Sequence, residues 1–284
     1  MLWLLLVSLV WAFSFGLIKG RLADVDPGIV ALLRVAFALI VFLPVFRPRA
    51  VPGRTGLLLA GIGAVQFGLM YVCYNAAFRS LAAYEVAVLT IFTPVFVTLL
   101  DGALGGRVRW QALVAALLAV AGAAVIVVDK PLAAVSWSGV LLVQASNACF
   151  ALGQVAWRRW RMIQADVRDA AVFAWLYAGA VVAAFPFAWP HLGDITSLNT
   201  SHWQTLAYLG LVASGLCFFL WNFGAARTGP GSLAVANNAK IPMGVACSIW
   251  VFGESGDPAR LIAGSAAIVV AGLLADRGAR RLGP

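Results

Sequence analysis

The sequence predicts an all-α polytopic membrane protein of ten transmembrane helices, built as two inverted five-helix repeats with N- and C-termini in the cytoplasm. Three observations predict it: an apolar composition, a one-sided distribution of basic residues and an internal repeat. Of the 284 residues, 63% are hydrophobic and only 11% charged, with a mean hydropathy of +0.94. Soluble proteins carry about 25% charged residues. A bilayer core about 30 Å thick needs about 20 apolar residues per helix, so the chain holds ten spans with short connections and has no room for a soluble catalytic domain. The net charge of +9 would point to nucleic acid in a soluble protein; in a membrane protein it reports topology.

The N-terminal run MLWLLLVSLVWAFSFGLIK is apolar from its first residues and lacks a basic n-region and a small-residue cleavage site. It reads as a first membrane helix over 2–20 rather than a signal peptide. Breaks at Gly, Pro and charge clusters then set spans over 28–46, 56–79, 83–102, 108–128, 136–157, 170–190, 202–224, 231–252 and 258–275. The joints include Asp24 to Pro27, Arg47 to Arg49, Gly105 to Arg107, Asp129 to Pro131, Gly229 to Gly231 and Gly256 to Pro258. Cys73, Cys149, Cys217 and Cys247 all fall inside apolar runs, which argues for packing residues and against disulfides or metal ligation.

Short cytoplasmic loops are enriched in Lys and Arg. With both ends inside, Arg47, Arg49, Arg54, Arg107, Arg109, Arg158, Arg159, Arg161, Arg168, Arg227, Arg277, Arg280 and Arg281 lie on the cytoplasmic side, and only Lys19, Arg21, Arg79, Lys130 and Arg260 lie opposite. Arg34 and Lys240 fall within spans.

The repeat divides the chain into 1–130 and 131–284, forming one membrane-embedded unit. Tyr74-Asn75, Arg79 and Pro94 in the first half match Trp221-Asn222, Arg227 and Pro242 in the second, and both Arg-to-Pro intervals are 15 residues. Five spans per unit, an odd number, turn the second copy upside down. Inverted repeats place a substrate site at the bilayer midplane and work by alternating access.

Ionisable side chains at membrane depth cost about 2.5–3.5 kcal/mol on insertion scales and mark function by default. Lys240 lies deep in the ninth span, within Ala236-Asn237-Asn238-Ala239-Lys240-Ile241-Pro242. Asn237 shares its face, and Pro242 leaves the carbonyl of Asn238 without an amide donor. Lys240 aligns with Phe92 in the first half, so its charge is not repeat scaffolding. It reads as a site for an anionic group such as a carboxylate; the rival is a structural lysine bonded to carbonyls. Phe67, Tyr71, Tyr74 and Phe78 share one helical face with Asn75 beside it, reading as a cavity wall or as packing. Trp11, Ser14, Thr90, Thr93, Gln144, Asn147, Trp221 and Asn222 are polar positions in apolar spans, open to cavity lining or to interhelical bonding. Pro94 and Pro242 are expected helix kinks. Arg34 is expected to snorkel outward as an anchor, and Trp157 and Trp160 to sit in an interfacial belt.

None of the eleven acids lies at mid-membrane; Glu85, Asp101 and Glu254 lie near span ends, where capping or Arg pairing is expected. His191 and His202 fall in an outer loop, which favours a facilitated or weakly coupled pathway over proton drive. There is no Walker loop, HExxH or GxSxG, so no enzyme, cofactor or metal is expected.

These features together, with Gly253-Glu254 preceding a last span that holds Gly264 and Gly272, resemble the drug/metabolite transporter (DMT) superfamily, in its EamA-type ten-helix branch. Within it the chain looks most similar to YddG-type bacterial exporters of aromatic and other amino acids. The resemblance implies a basket in which helices one, three, four, six, eight and nine line a cavity and five and ten sit behind. It also implies a substrate-binding ninth helix: Ala236 to Lys240 looks like the GALNK-type motif of nucleotide-sugar members, with Lys240 at the matching lysine. The chain departs from that motif at Ala236, Asn237 and Asn238. The expectation is a multi-pass transporter of the bacterial inner membrane exporting aromatic or neutral amino acids, with a small-molecule substrate and the lipid bilayer as its partners and no nucleic acid or obligate protein partner. The rivals are a multidrug, other metabolite or organic-anion carrier of the same superfamily, and a non-transporting receptor or assembly factor, for which Gly102 and Gly106 would serve close packing.

Overall fold

A computed structural model describes residues 2–105, 136–227 and 230–253, with isolated positions between 110 and 121 and between 259 and 270. The expected fifth and tenth spans, Glu254 and the C-terminal arginines fall largely or wholly outside the described residues. Among those described, all regular structure is helical, and seven helical stretches are long and apolar enough to cross a membrane.

The first is α1, Leu2–Arg21. The second is α2, Pro27–Phe42, which starts where Pro27 follows the Asp26 cap; Asp26 Oδ1 accepts from the backbone of Gly28 at 2.8 Å and Ile29 at 3.3 Å. Asp26 thus satisfies amides that a helix start leaves unpaired. The third runs through α3 (Gly53–Gly63), a π-helical stretch (Ala64–Leu69) and α4 (Met70–Ala77).

The fourth is broken: α5 (Ala83–Leu89), a 3₁₀ turn (Thr90–Phe92), then α6 (Thr93–Gly105). Pro94 explains the break, since it offers no amide to the carbonyl of Thr90; Thr93 Oγ1 donates to that carbonyl instead, at 2.7 Å. Glu85 caps this span as expected, accepting from the Ala82 amide at 2.8 Å.

Next come α7 (Trp137–Ile163) and α8 (Asp169–Ala188), then α9 (Thr200–Ala207), a second π-helical stretch (Tyr208–Leu216) and α10 (Cys217–Ala225). After these seven stretches comes α11, Pro230–Trp250. It runs through Pro242 as one continuous helix, in contrast to the break beside Pro94.

Helices of the two expected halves pack on each other: α1 lies along α11, α2 along α8, and α7 along α4 and α6. Where α3 meets α8, contact is backbone to backbone. A Cβ added to Gly63 would lie 1.9 Å from the carbonyl oxygen of Leu176, and one added to Gly179 would lie 1.8 Å from that of Ala60. Small residues permit this approach, which drives helix association in lipid through van der Waals contact.

Trp157 and Trp160 are buried, with Trp157 edge-on to Phe173 at 5.4 Å, so they are core residues and not belt residues. Their face of α7 is turned toward α8. Exposed tryptophans near span ends include Trp3, Trp137, Trp189, Trp203 and Trp250. Asp101 pairs with Arg159 at 3.2 Å, and the buried Asp169 joins Arg161 at 2.9 Å to Arg227 at 3.2 Å.

Candidate functional site

A cavity lies among α1, α2, α4, the α5–α6 break, α7, α10 and α11. Of the positions expected from sequence, Trp11, Ser14, Tyr71, Tyr74, Thr90, Thr93, Asn147 and Lys240 line it. Asn75, Trp221 and Asn237 stand behind that wall, and the side chain of Asn238 lies outside the described residues.

Lys240 is buried on α11, and its Nζ donates to Asn237 Oδ1 at 3.1 Å. The Asn237 Nδ2 is buried and has no hydrogen-bond partner among the described residues. Lys240 Nζ also sits 5.5 Å from the centroid of Trp11, within cation–π range. The Trp11 ring is fixed by its own Nε1, which donates to the carbonyl of Ala213 at 2.9 Å. Ser8 Oγ donates to the carbonyl of Ala236 at 2.7 Å and ties α1 to this part of α11.

Arg34 differs from its expected role. It is 2% exposed and does not snorkel. Its Nε donates to Ser214 Oγ at 3.2 Å, Nη1 to Asn75 Oδ1 at 3.3 Å and Nη2 to Tyr71 Oη at 3.0 Å. The guanidinium carbon lies 4.0 Å from the centroid of Tyr71. Depth along a helix gives no azimuth, and acceptors from two other spans hold this arginine inward. Val30 and Ala38, one turn either side of Arg34, are buried on the same face of α2; that small apolar face was the available signal in the sequence.

The aromatic face divides. Tyr71 and Tyr74 line the cavity, whereas Phe67 belongs to the core, with its ring 4.9 Å from Tyr177. Phe67 lies within the π-helical stretch Ala64–Leu69, and wide turns of this kind put residues out of the 3.6-residue register that the expectation assumed.

Thr93, Asn147 and Gln144 stabilise the α5–α6 break as well as facing the cavity or its edge. Thr93 Oγ1 lies 3.1 Å from Asn147 Oδ1, and Asn147 Nδ2 donates to the freed carbonyl of Leu89 at 2.9 Å. Thr90 and Ser14 bond back to their own helices, to Ala87 and Val10. Trp221 Nε1 donates to Gln154 Oε1 at 3.0 Å, and Asn222 pairs with Gln66. Gln66, Gln154 and Ser214 complete this polar interior; as single polar residues in apolar spans they carried the same signal as the positions already noted.

The described lining therefore carries two cationic side chains, hydroxyls, one amide and aromatic rings, with no carboxylate among them. Such a surface suits an apolar body bearing hydrogen-bond acceptors.

The chain matches the EamA-like transporter family over residues 1–128 and 137–275. It is 40% identical over 99% of its length to a Pseudomonas aeruginosa protein named probable biotin transporter, covering 99% of that protein. It is 37% identical over 96% of its length to the biotin transporter of Salmonella typhimurium, covering 92% of it, and 38% identical over 87% to that of Escherichia coli, covering 84%. A solved protein structure superposes with a TM-score of 0.70 over all of this chain and 97% of its own, at 20% identity, which shows a shared fold. This is a multi-pass protein of the bacterial inner membrane, and it belongs to the EamA-like transporter family, within the drug/metabolite transporter superfamily.

Proposed function

We propose that the protein carries a small organic carboxylate across the inner membrane, with biotin as the substrate to test first. The observation that carries this reading is the pairing of Lys240 and Arg34 in one cavity whose described lining holds no carboxylate. Buried cations attract an anion and repel a cationic drug. The relatives' names, all biotin transporters, supply the particular carboxylate. Lys240, aimed by Asn237 Oδ1, grips the carboxylate; Tyr71, Tyr74 and Trp11 hold the apolar body.

Transport proceeds by alternating access between two inverted halves, 1–130 and 131–284, with both termini cytoplasmic. Two observations support the halves. The family matches fall on either side of this boundary, and the two π-helical stretches precede the matched pairs Tyr74-Asn75 and Trp221-Asn222 in their respective spans.

Export of aromatic amino acids is the second reading, favoured by the aromatic walls. It is the weaker one, because an α-ammonium finds two cations in the described lining and no carboxylate.

The deciding experiment is uptake of labelled biotin and labelled phenylalanine into proteoliposomes holding the purified protein. Biotin uptake above empty liposomes, lost in Lys240→Ala, is the expected result. Phenylalanine uptake without biotin uptake would overturn the substrate, and full activity of Lys240→Ala would overturn the site.

A further inference from the structure

A chain of neighbouring aromatic rings links the two cations of the cavity. Arg34 lies over Tyr71 at 4.0 Å, the Tyr71 and Phe218 centroids are 5.8 Å apart, those of Phe218 and Trp11 are 4.7 Å apart, and Lys240 Nζ lies 5.5 Å from Trp11. A ligand that follows these rings from one cation to the other is apolar in the middle and carries an acceptor at each end.

The two ends offer different donors. Lys240 has three N–H groups, and the one side-chain acceptor it meets among the described residues is Asn237 Oδ1. Arg34 has five, of which Nε, Nη1 and Nη2 each already give one. Ser214 Oγ and Tyr71 Oη are 2.7 Å apart and take Nε and Nη2 respectively. Those two hydroxyl oxygens fill the side-on fork, and Asn75 takes a further N–H of Nη1, so a carboxylate would have at most the end-on pair of the guanidinium. The guanidinium keeps one N–H on each terminal nitrogen, and its charge is spread over the Tyr71 face.

We infer that Arg34 is a second recognition pole that binds a neutral carbonyl oxygen of the substrate, at the far end from the carboxylate held by Lys240. The substrate class is then a long monocarboxylate with an amide- or urea-type carbonyl at its other end. The inference rests on the carboxylate reading above and adds a specificity-determining residue on α2. Biotin has this form, with a valerate carboxylate at one end and a cyclic urea at the other.

The test is competition against labelled biotin bound to the purified, detergent-solubilised protein. Two competitors each change one end: 2-iminobiotin replaces the urea carbonyl by a guanidinium, a cation with no acceptor oxygen, and biotinamide removes the carboxylate charge. The wild type is expected to prefer biotin to either by about 10- to 100-fold, the range that a hydrogen bond to a charged group carries. Arg34→Gln should shrink the preference over 2-iminobiotin toward unity, Arg34→Lys, which keeps a charge and a donor, should shrink it less, and both should leave the preference over biotinamide within about twofold. Lys240→Gln should do the reverse. Ratios within one variant do not depend on how much protein folds.

Undiminished discrimination against 2-iminobiotin in both Arg34 variants overturns the inference while the carboxylate reading stands. Competition by a long dicarboxylate as strong as by biotin also overturns it, because Arg34 then takes an anion. Loss of all binding in both variants, with monodisperse protein, makes Arg34 scaffold and overturns it. Absence of biotin binding by the wild type overturns the biotin reading and this inference together.

Discussion

Gln66 and Asn222 exchange two amide hydrogen bonds across the bundle: Gln66 Nε2 donates to Asn222 Oδ1 at 3.0 Å, and Asn222 Nδ2 donates to Gln66 Oε1 at 3.3 Å. Both residues are fully buried, and they come from the third span and from α10, one in each half. Replacing either alone by Leu strands the partner's amide, at a cost of about 1–3 kcal/mol. Replacing both removes the need for the bond. Thermal unfolding in detergent should show Gln66→Leu and Asn222→Leu each lowering the midpoint, with the double variant less impaired than the sum of the two. Additive losses would mean that the pair is not coupled.

Lys240 and Asn237 form the proposed carboxylate grip. Lys240→Ala should abolish biotin uptake. Asn237→Ala should reduce apparent affinity by about 10-fold, since it removes the oxygen that aims the ammonium. Uptake measured over a range of biotin concentrations checks this. An unchanged half-saturation value in Asn237→Ala would show that the ammonium needs no such aiming.

How legible each part was depends on what kind of physics sets it. The third span was expected over 56–79 and is observed over Gly53–Ala77, because apolar length is written directly in the sequence. Pro94 marks the α5–α6 break by withholding an amide from Thr90, but Pro242 withholds one from Asn238 while α11 runs on, so a proline alone does not say where a helix breaks. The side-chain directions of Arg34 and Trp157 were not legible: each depends on which neighbour its helix face meets, and Ser214 and Tyr71 are far from Arg34 in sequence. The π-helical stretch that contains Phe67 was also hidden, since it breaks the period on which the reading of the aromatic face relied. Lys240 stood out because a buried charge is costly in any arrangement.

Gly63 and Gly61 lie on the same helix and predict opposite outcomes. A Cβ on Gly63 would fall 1.9 Å from the Leu176 backbone oxygen, while nothing lies within 4 Å of one on Gly61. Gly63→Ala must therefore push α3 away from α8, costing about 1–3 kcal/mol or more. Gly61→Ala should be neutral or slightly stabilising, because Ala exceeds Gly in helix propensity. Comparing the fraction of monodisperse protein after graded heating separates the two variants. Equal retention would mean that the α3–α8 contact is not close-packed.

Pro94 sets the local geometry of the cavity wall without adding a polar group to it. Pro94→Ala restores an amide that can reach the Thr90 carbonyl, so the fourth span gains a hydrogen bond and the 3₁₀ turn over Thr90–Phe92 loses its cause. Asn147 Nδ2, now bonded to the carbonyl of Leu89 at 2.9 Å, then competes with a regular helical amide. The cavity-facing side chains of Thr90 and Thr93 turn with the backbone. The expected result is a thermal midpoint equal to or above that of the wild type, together with a clear loss of biotin uptake. Asn147→Leu should give the opposite pattern for stability: it leaves the Leu89 carbonyl with only the longer bond from Gln144, at 3.4 Å, and takes an acceptor from Thr93, at a cost of about 1–3 kcal/mol. Unfolding curves and initial uptake rates for the two variants decide the matter. Wild-type transport by Pro94→Ala would show that the break is not needed for the site.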